Sequence, residues 1–144
     1  MRQTFSRWLL TLALALAPWA VAAQAVSTPD ARAVREVVEA QLQALAADDA
    51  VRAFSYASPM IRSQFGDAAN FMAMVKSSYP MVLRPAATAF FQPEVADGAV
   101  MQAVQLRGRD GRAWLATYQL QRQPDGRWRI NGCAVQADTG KSST

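Results

Sequence analysis

Up to about residue 85 the apolar side chains recur every three or four positions, and from Ala86 onward they recur every second one. A spacing near 3.6 gives a helix with one buried stripe, whereas a spacing of two gives a strand with one buried face. The switch therefore sets the order of the fold, helices first and strands after. The expected class is α+β, with N-terminal helices packed on one face of a curved four-stranded antiparallel sheet that runs as a meander.

In the helical half, "STPDARAVREVVEAQLQALAADD" opens with Thr28 as the expected N-cap, Pro29 at the first helical position and Asp30 in the first turn. Val34, Val37, Val38, Leu42 and Leu45 fall on one stripe, with Arg35, Glu36, Glu39 and Gln43 opposite. Asp48-Asp49 ends this helix, and Asp49 can cap the next, "AVRAFSYAS", which is expected to bury Phe54, Val51 and Ala57. Ser58-Pro59 repeats the pattern of a cap followed by a first-turn proline, leading to Gly66. Asp67 caps "AANFMAMVKSSY", with Phe71, Met74, Val75 and Tyr79 inward, and Pro80 ends it. "SYASPMIRSQFGD" is thus accounted for as joints between short helices, with the rim of a pocket as the alternative.

In the second half, "TAFFQPEVADG", "AVMQAVQLRG", "RAWLATYQLQRQ" and "RWRINGCAVQA" read as four strands. They are joined at Asp97-Gly98, Asp110-Gly111 and Pro124-Asp125-Gly126, all hairpin signals. Trp114, Ala116, Tyr118 and Leu120 share one face, as do Trp128 and Ile130 on the last strand.

Ahead of both halves stands a basic start, Arg2 and Arg7, followed by an apolar run from Trp8 to Ala17 and then Pro18, the pattern of a secretory signal peptide. Small residues flank two cleavage positions, after Ala23 or after Ala25, and an uncleaved anchor is the alternative. The expected organisation is a signal peptide over 1–25, one α+β domain over 26–137 and a polar tail over 138–144, in an exported protein, periplasmic or secreted, with no stable membrane anchor after cleavage. Removing Arg2 and Arg7 takes 15 basic residues to 13 against 11 acidic ones, so the net charge falls from +4 to +2. The remaining arginines, Arg107, Arg109 and Arg112 at one turn and Arg127 and Arg129 after the next, read as solvated hairpin tips, and no nucleic-acid partner is expected.

The ordered groups Gln41-Leu42, Asp49, Phe54-x-Tyr56-Ala57-Ser58-Pro59-x-Ile61-x-x-x-Phe65-Gly66, Phe71-x-x-Met74-Val75, Tyr79-Pro80, Tyr118-x-Leu120 and Asp125-Gly126-x-Trp128-x-Ile130-x-Gly132-Cys133 span nearly the whole mature chain. In this pattern the sequence resembles the bacterial family of unknown function numbered 4864, which implies an exported protein with no established activity. The layout is also similar to the nuclear transport factor 2-like folds, where a bent sheet wraps a long first helix into a cone.

The chain has no His, which removes the commonest general base, the commonest metal ligand and every Ser-His or Cys-His pair. No metal site and no cofactor are expected, since Cys133 is single and no Cys or carboxylate spacing resembles a metal-binding set. Cys133 itself lies in an alternating strand and reads as a small buried hydrophobe. A carboxylate base needs a raised pKa, and Asp49 beside Tyr56 is the candidate; as a helix cap the same residue has no need of chemistry.

Binding fits the composition better. A sheet facing helices can enclose an apolar cavity on which Tyr56, Tyr79, Gln102, Trp114 and Tyr118 could converge, but the first expectation for the aromatics among them is that they fill the core. Arg84, where helix gives way to sheet, could meet an anionic group at the mouth or pair with Asp48 or Asp49. The expected function is non-catalytic binding of a small apolar or anionic ligand, or of a partner. The alternatives are a hydrolase or isomerase using a pocket carboxylate and tyrosine, and an envelope module that forms a homodimer through the outer sheet face at Met101, Ala103, Leu115 and Thr117.

Overall fold

The computed structural model describes residues 25–140. Most of the expected signal peptide, with its cleavage position after Ala23, and the end of the tail lie outside the described residues. Four helices come first: α1 (Thr28–Ala46), α2 (Ala50–Ser55), α3 (Pro59–Phe65) and α4 (Ala68–Ser78), with a 3-10 turn over Pro80–Val82. Five strands follow: β1 (Ala87–Phe90), β2 (Glu94–Ala96), β3 (Ala99–Arg107), β4 (Ala113–Arg122) and β5 (Trp128–Ala137). The protein is α+β.

Each helix starts where a short polar side chain can accept an amide proton that the helix leaves unbonded. The cap of α1 is Ser27, one residue earlier than the sequence pattern suggests, so that Pro29 still falls within the first turn. Asp49, Ser58 and Asp67 cap the next three helices as expected. On α1 the buried stripe includes Val34, Val38, Leu42 and Leu45, together with Gln41. Val51 of α2 is 75% exposed, contrary to the expectation that it is buried: with only six residues, α2 turns a narrow face inward, centred on Ala53.

The sheet is antiparallel, in the order β1-β3-β4-β5, with β2 also paired to β3. Where one first strand is expected, there are two. Phe90 pairs with Val104 and Glu94 with Met101, so β1 and β2 form a single broken edge beside β3. The break contains Pro93, which has no amide proton to give the ladder. Buried Gln102 stabilises it, its Nε2 donating to the carbonyls of Phe91 at 2.7 Å and Ala103 at 3.0 Å.

Val100, Gln102, Val104 and Leu106 of β3 and Ala116, Tyr118 and Leu120 of β4 are buried on the face that α1 crosses. Met101, Ala103, Leu115 and Thr117 look the other way and stay partly exposed. Full burial of an apolar side chain such as Val34, Val38 or Leu120 contributes about 1.5–3 kcal/mol.

Candidate functional site

The last strand sets the geometry of the site. Leu120 pairs with Ile130 but Gln119 pairs with Gly132, so Asn131 is an extra residue, a β-bulge. Regular alternation through all of Ile130–Cys133 would put these two residues on opposite faces; because Asn131 bulges out of register, both share the inner face with Tyr118, the cross-strand partner of Cys133.

The segment Tyr56-Ala57-Ser58 docks at this bulge. The Ile130 amide donates to the Tyr56 carbonyl at 2.9 Å and the Ser58 amide to the Ile130 carbonyl at 2.8 Å, which makes Ala57 a one-residue parallel bridge to β5. The Ser58 hydroxyl donates to Asn131 Oδ1 at 2.7 Å and accepts from the Ile61 amide at 3.3 Å. One serine therefore caps α3 and fixes that helix to the bulge. The stretch that reads as a joint is also a strand contact, and it holds α3 over the inner face.

Beneath α3 lies an apolar pocket of about 240 Å³. Its walls come from Leu45 of α1, Ile61 and Phe65 of α3, Phe71, Met74 and Val75 of α4, Val82, and Ile130 of β5. Phe71 anchors the aromatic side, with Phe65 edge-on to it at 5.7 Å and Phe54 tilted against it at 5.4 Å. Gln41, Gln64, Tyr79, Tyr118 and Cys133 add polar atoms, and among the described residues no charged one lines the pocket.

Gln41 is 4% exposed and its Nε2 donates to the Ala53 carbonyl at 3.2 Å, which assigns the nitrogen end of the amide. Tyr118 is 2% exposed, and burial, reinforced by the Cys133 thiol, holds its hydroxyl well above the ordinary tyrosine pKa. Burial likewise pushes the Cys133 thiol up to about 12. Cys133, expected to be a buried hydrophobe, is instead exposed and lines the pocket beside Tyr118, although the protein atoms packed around its sulfur disfavour the thiolate. At neutral pH the thiol is neutral and a weak nucleophile.

Of the residues singled out in the sequence, Tyr79 and Tyr118 meet at this pocket. Asp49 is exposed at the start of α2, accepting from the Arg52 amide at 3.1 Å. Tyr56 is half-buried, its hydroxyl accepting from Arg52 Nε at 3.4 Å. Arg84 is exposed and donates to the Ala46 carbonyl at 3.1 Å, tying the end of α1 to the loop before β1; Asp48 pairs instead with Lys76 at 2.8 Å. The amide protons of Gln102 go to backbone carbonyls, and Trp114 stacks beneath Arg112 at 5.7 Å. Gln41, Gln64 and Cys133 are polar pocket residues that the sequence pattern does not point to. The available signal for Gln41 was its place three residues after Val38 and four before Leu45, a polar side chain within an apolar stripe.

Among the described residues no group of three or more His, Cys, Asp or Glu side chains is placed to hold a metal ion, and no helix is long and apolar enough to cross a membrane. Helices closing an uncharged apolar pocket against one face of an antiparallel sheet define an α+β pocket protein. Residues 27–143 match the family model described as "Domain of unknown function (DUF4864)", and the chain belongs to that family. No curated protein and no solved structure matches it.

Proposed function

We propose that this protein binds a small, predominantly apolar ligand in the pocket beneath α3, without transforming it. The observation that carries the reading is a preformed cavity of about 240 Å³ whose walls are apolar and uncharged. That volume exceeds the roughly 150 Å³ known to admit a benzene ring into a protein core. The raised pKa values of Cys133 and Tyr118 argue against chemistry, because both groups stay protonated where a nucleophile or base has to lose its proton. Asp49, the candidate carboxylate, stands in solvent away from the cavity.

The arrangement is further read as nuclear transport factor 2-like, on the strength of a 19-residue first helix lying against β3 and β5 of an antiparallel sheet. Export to the periplasm or medium is proposed from the basic and apolar leader.

A second reading concerns the outer face. Met101, Ala103, Leu115, Thr117, Gln119 and Ala134 lie there and none carries a charge, which suits contact with a second copy of the same sheet. Native mass spectrometry of protein isolated from its own host tests both readings, reporting retained small mass and subunit count together. The pocket reading expects a retained mass that disappears in a folded Cys133→Phe variant, whose ring fills the cavity. Equal retention by that variant would place the ligand elsewhere.

A further inference from the structure

The pocket is apolar but not featureless, and its two most enclosed polar groups differ in what they leave free. The Nε2 end of Gln41 is committed to the Ala53 carbonyl, while its Oε1 accepts no hydrogen bond from any described residue. Gln41 is only 4% exposed, yet no buried side-chain oxygen or nitrogen among the described residues is left both sealed from solvent and unpartnered. The free oxygen therefore retains some open surface, in a side chain that lines the pocket. Tyr118 is 2% exposed and lines the same pocket, and its hydroxyl bonds to no oxygen or nitrogen of the described residues. Its hydrogen-bond partner is the thiol of its cross-strand neighbour Cys133, a weak donor and a weak acceptor that a ligand oxygen can displace.

Through these two groups the cavity offers one unoccupied carbonyl-type acceptor and one protonated hydroxyl paired only with a thiol, beside the less enclosed Gln64 and Tyr79. It offers no charge to balance an ion. An anion or cation entering it would lose its water without gaining a counter-ion, an unfavourable exchange. A neutral molecule with a hydroxyl or N–H group would donate to Gln41 Oε1 and accept from the Tyr118 hydroxyl, satisfying groups that are costly to leave dry.

The geometry points to a neutral, hydroxyl- or N–H-bearing small molecule as the ligand class, with Gln41 and Tyr118 as the residues that select it. This rests on the pocket reading proposed above and narrows it, replacing the choice between an apolar and an anionic ligand with a neutral, hydrogen-bonding one. The anionic option depended on Arg84, which lies outside this pocket and is bonded to the Ala46 carbonyl.

Three probes of one ring size separate the possibilities: phenol, toluene and benzoate, each titrated into the mature protein and followed by NMR shifts of residues lining the pocket. Toluene reports the apolar cavity alone, phenol adds the hydrogen-bonding group, and benzoate adds charge. In the wild type, toluene and phenol both shift the pocket resonances and benzoate does not. In Tyr118→Phe or Gln41→Leu the ratio of phenol to toluene affinity falls about tenfold, the size expected for one lost hydrogen bond. Tyr118→Phe keeps the ring in place and so remains informative if Gln41→Leu, which also loses the bond to Ala53, fails to fold. An unchanged ratio in the folded variants overturns the selection by Gln41 and Tyr118 while leaving the pocket reading standing. Benzoate binding as tightly as phenol overturns the neutral class. Failure of both toluene and phenol to bind overturns the pocket reading and this inference with it.

Discussion

Ser58 shows how much one side chain can settle in this protein. It is 2% exposed, caps α3 through the Ile61 amide and donates to Asn131 at the bulge of β5. Ser58→Ala removes both bonds and leaves Asn131 Oδ1 without that donor, so a loss of about 1–3 kcal/mol is expected from urea unfolding. Asp49→Ala, which removes an exposed cap, is expected to cost about 1 kcal/mol and to leave toluene affinity unchanged. A drop in affinity would make Asp49 part of the site. Cys133 carries a prediction in pH. Folding raises its thiol from an ordinary 9.0 to about 12, so the unfolded chain loses that proton first. The stability contributed by holding the thiol neutral is complete below pH 9 and is lost as pH rises toward 12. Thermal unfolding across this range should show the wild type losing Tm more steeply than Cys133→Ala. Parallel curves would mean that the thiol titrates in the folded protein as it does in the unfolded chain.

At the scale of elements, the pattern of residues reveals caps and turns more readily than interruptions. Asp49, Ser58, Asp67 and the Gly-containing turns announce themselves because each relieves a local conflict, an unbonded amide or a backbone with positive φ. The break between β1 and β2 is harder to read, since it depends on Gln102 reaching across from β3 as well as on Pro93. The bulge at Asn131 is harder still, because one inserted residue leaves the apolar pattern on either side intact and only changes which face each half presents. Deleting Asn131 tests its role. The deletion leaves Ile130 and Cys133 two residues apart, so regular alternation keeps both on the inner face, and what is lost is the acceptor of the Ser58 hydroxyl, about 1–3 kcal/mol. A fall of that size, with folding retained, is expected from chemical unfolding. Complete loss of folding would show that the inner face depends on the bulge itself and not on the residue count between Ile130 and Cys133.

For the molecule as a whole, the change of spacing near Ala86 is enough to give the order of helices and strands and the α+β class. The pocket is not legible in the same way. Phe71, Val75, Val82 and Ile130 line it, yet each has the spacing of an ordinary core residue. A cavity is a shortfall in how well such residues fill space once α3 is fixed to β5, and no local pattern records that shortfall. Tyr118 was found because aromatic residues on an inner face are conspicuous, whereas Gln41 was hidden by its apolar neighbours on α1. The outer sheet face remains the competing location for a ligand or a second copy, and it is separated from the pocket by the thickness of the sheet. The most direct measurement is therefore a set of intermolecular NOEs between bound phenol and the methyl groups of the mature protein. Contacts to Ile61, Met74, Val75 and Ile130 are the predicted result. Contacts confined to Met101, Leu115 and Thr117 on the outer face, or no contacts at saturating phenol, would contradict a ligand site beneath α3.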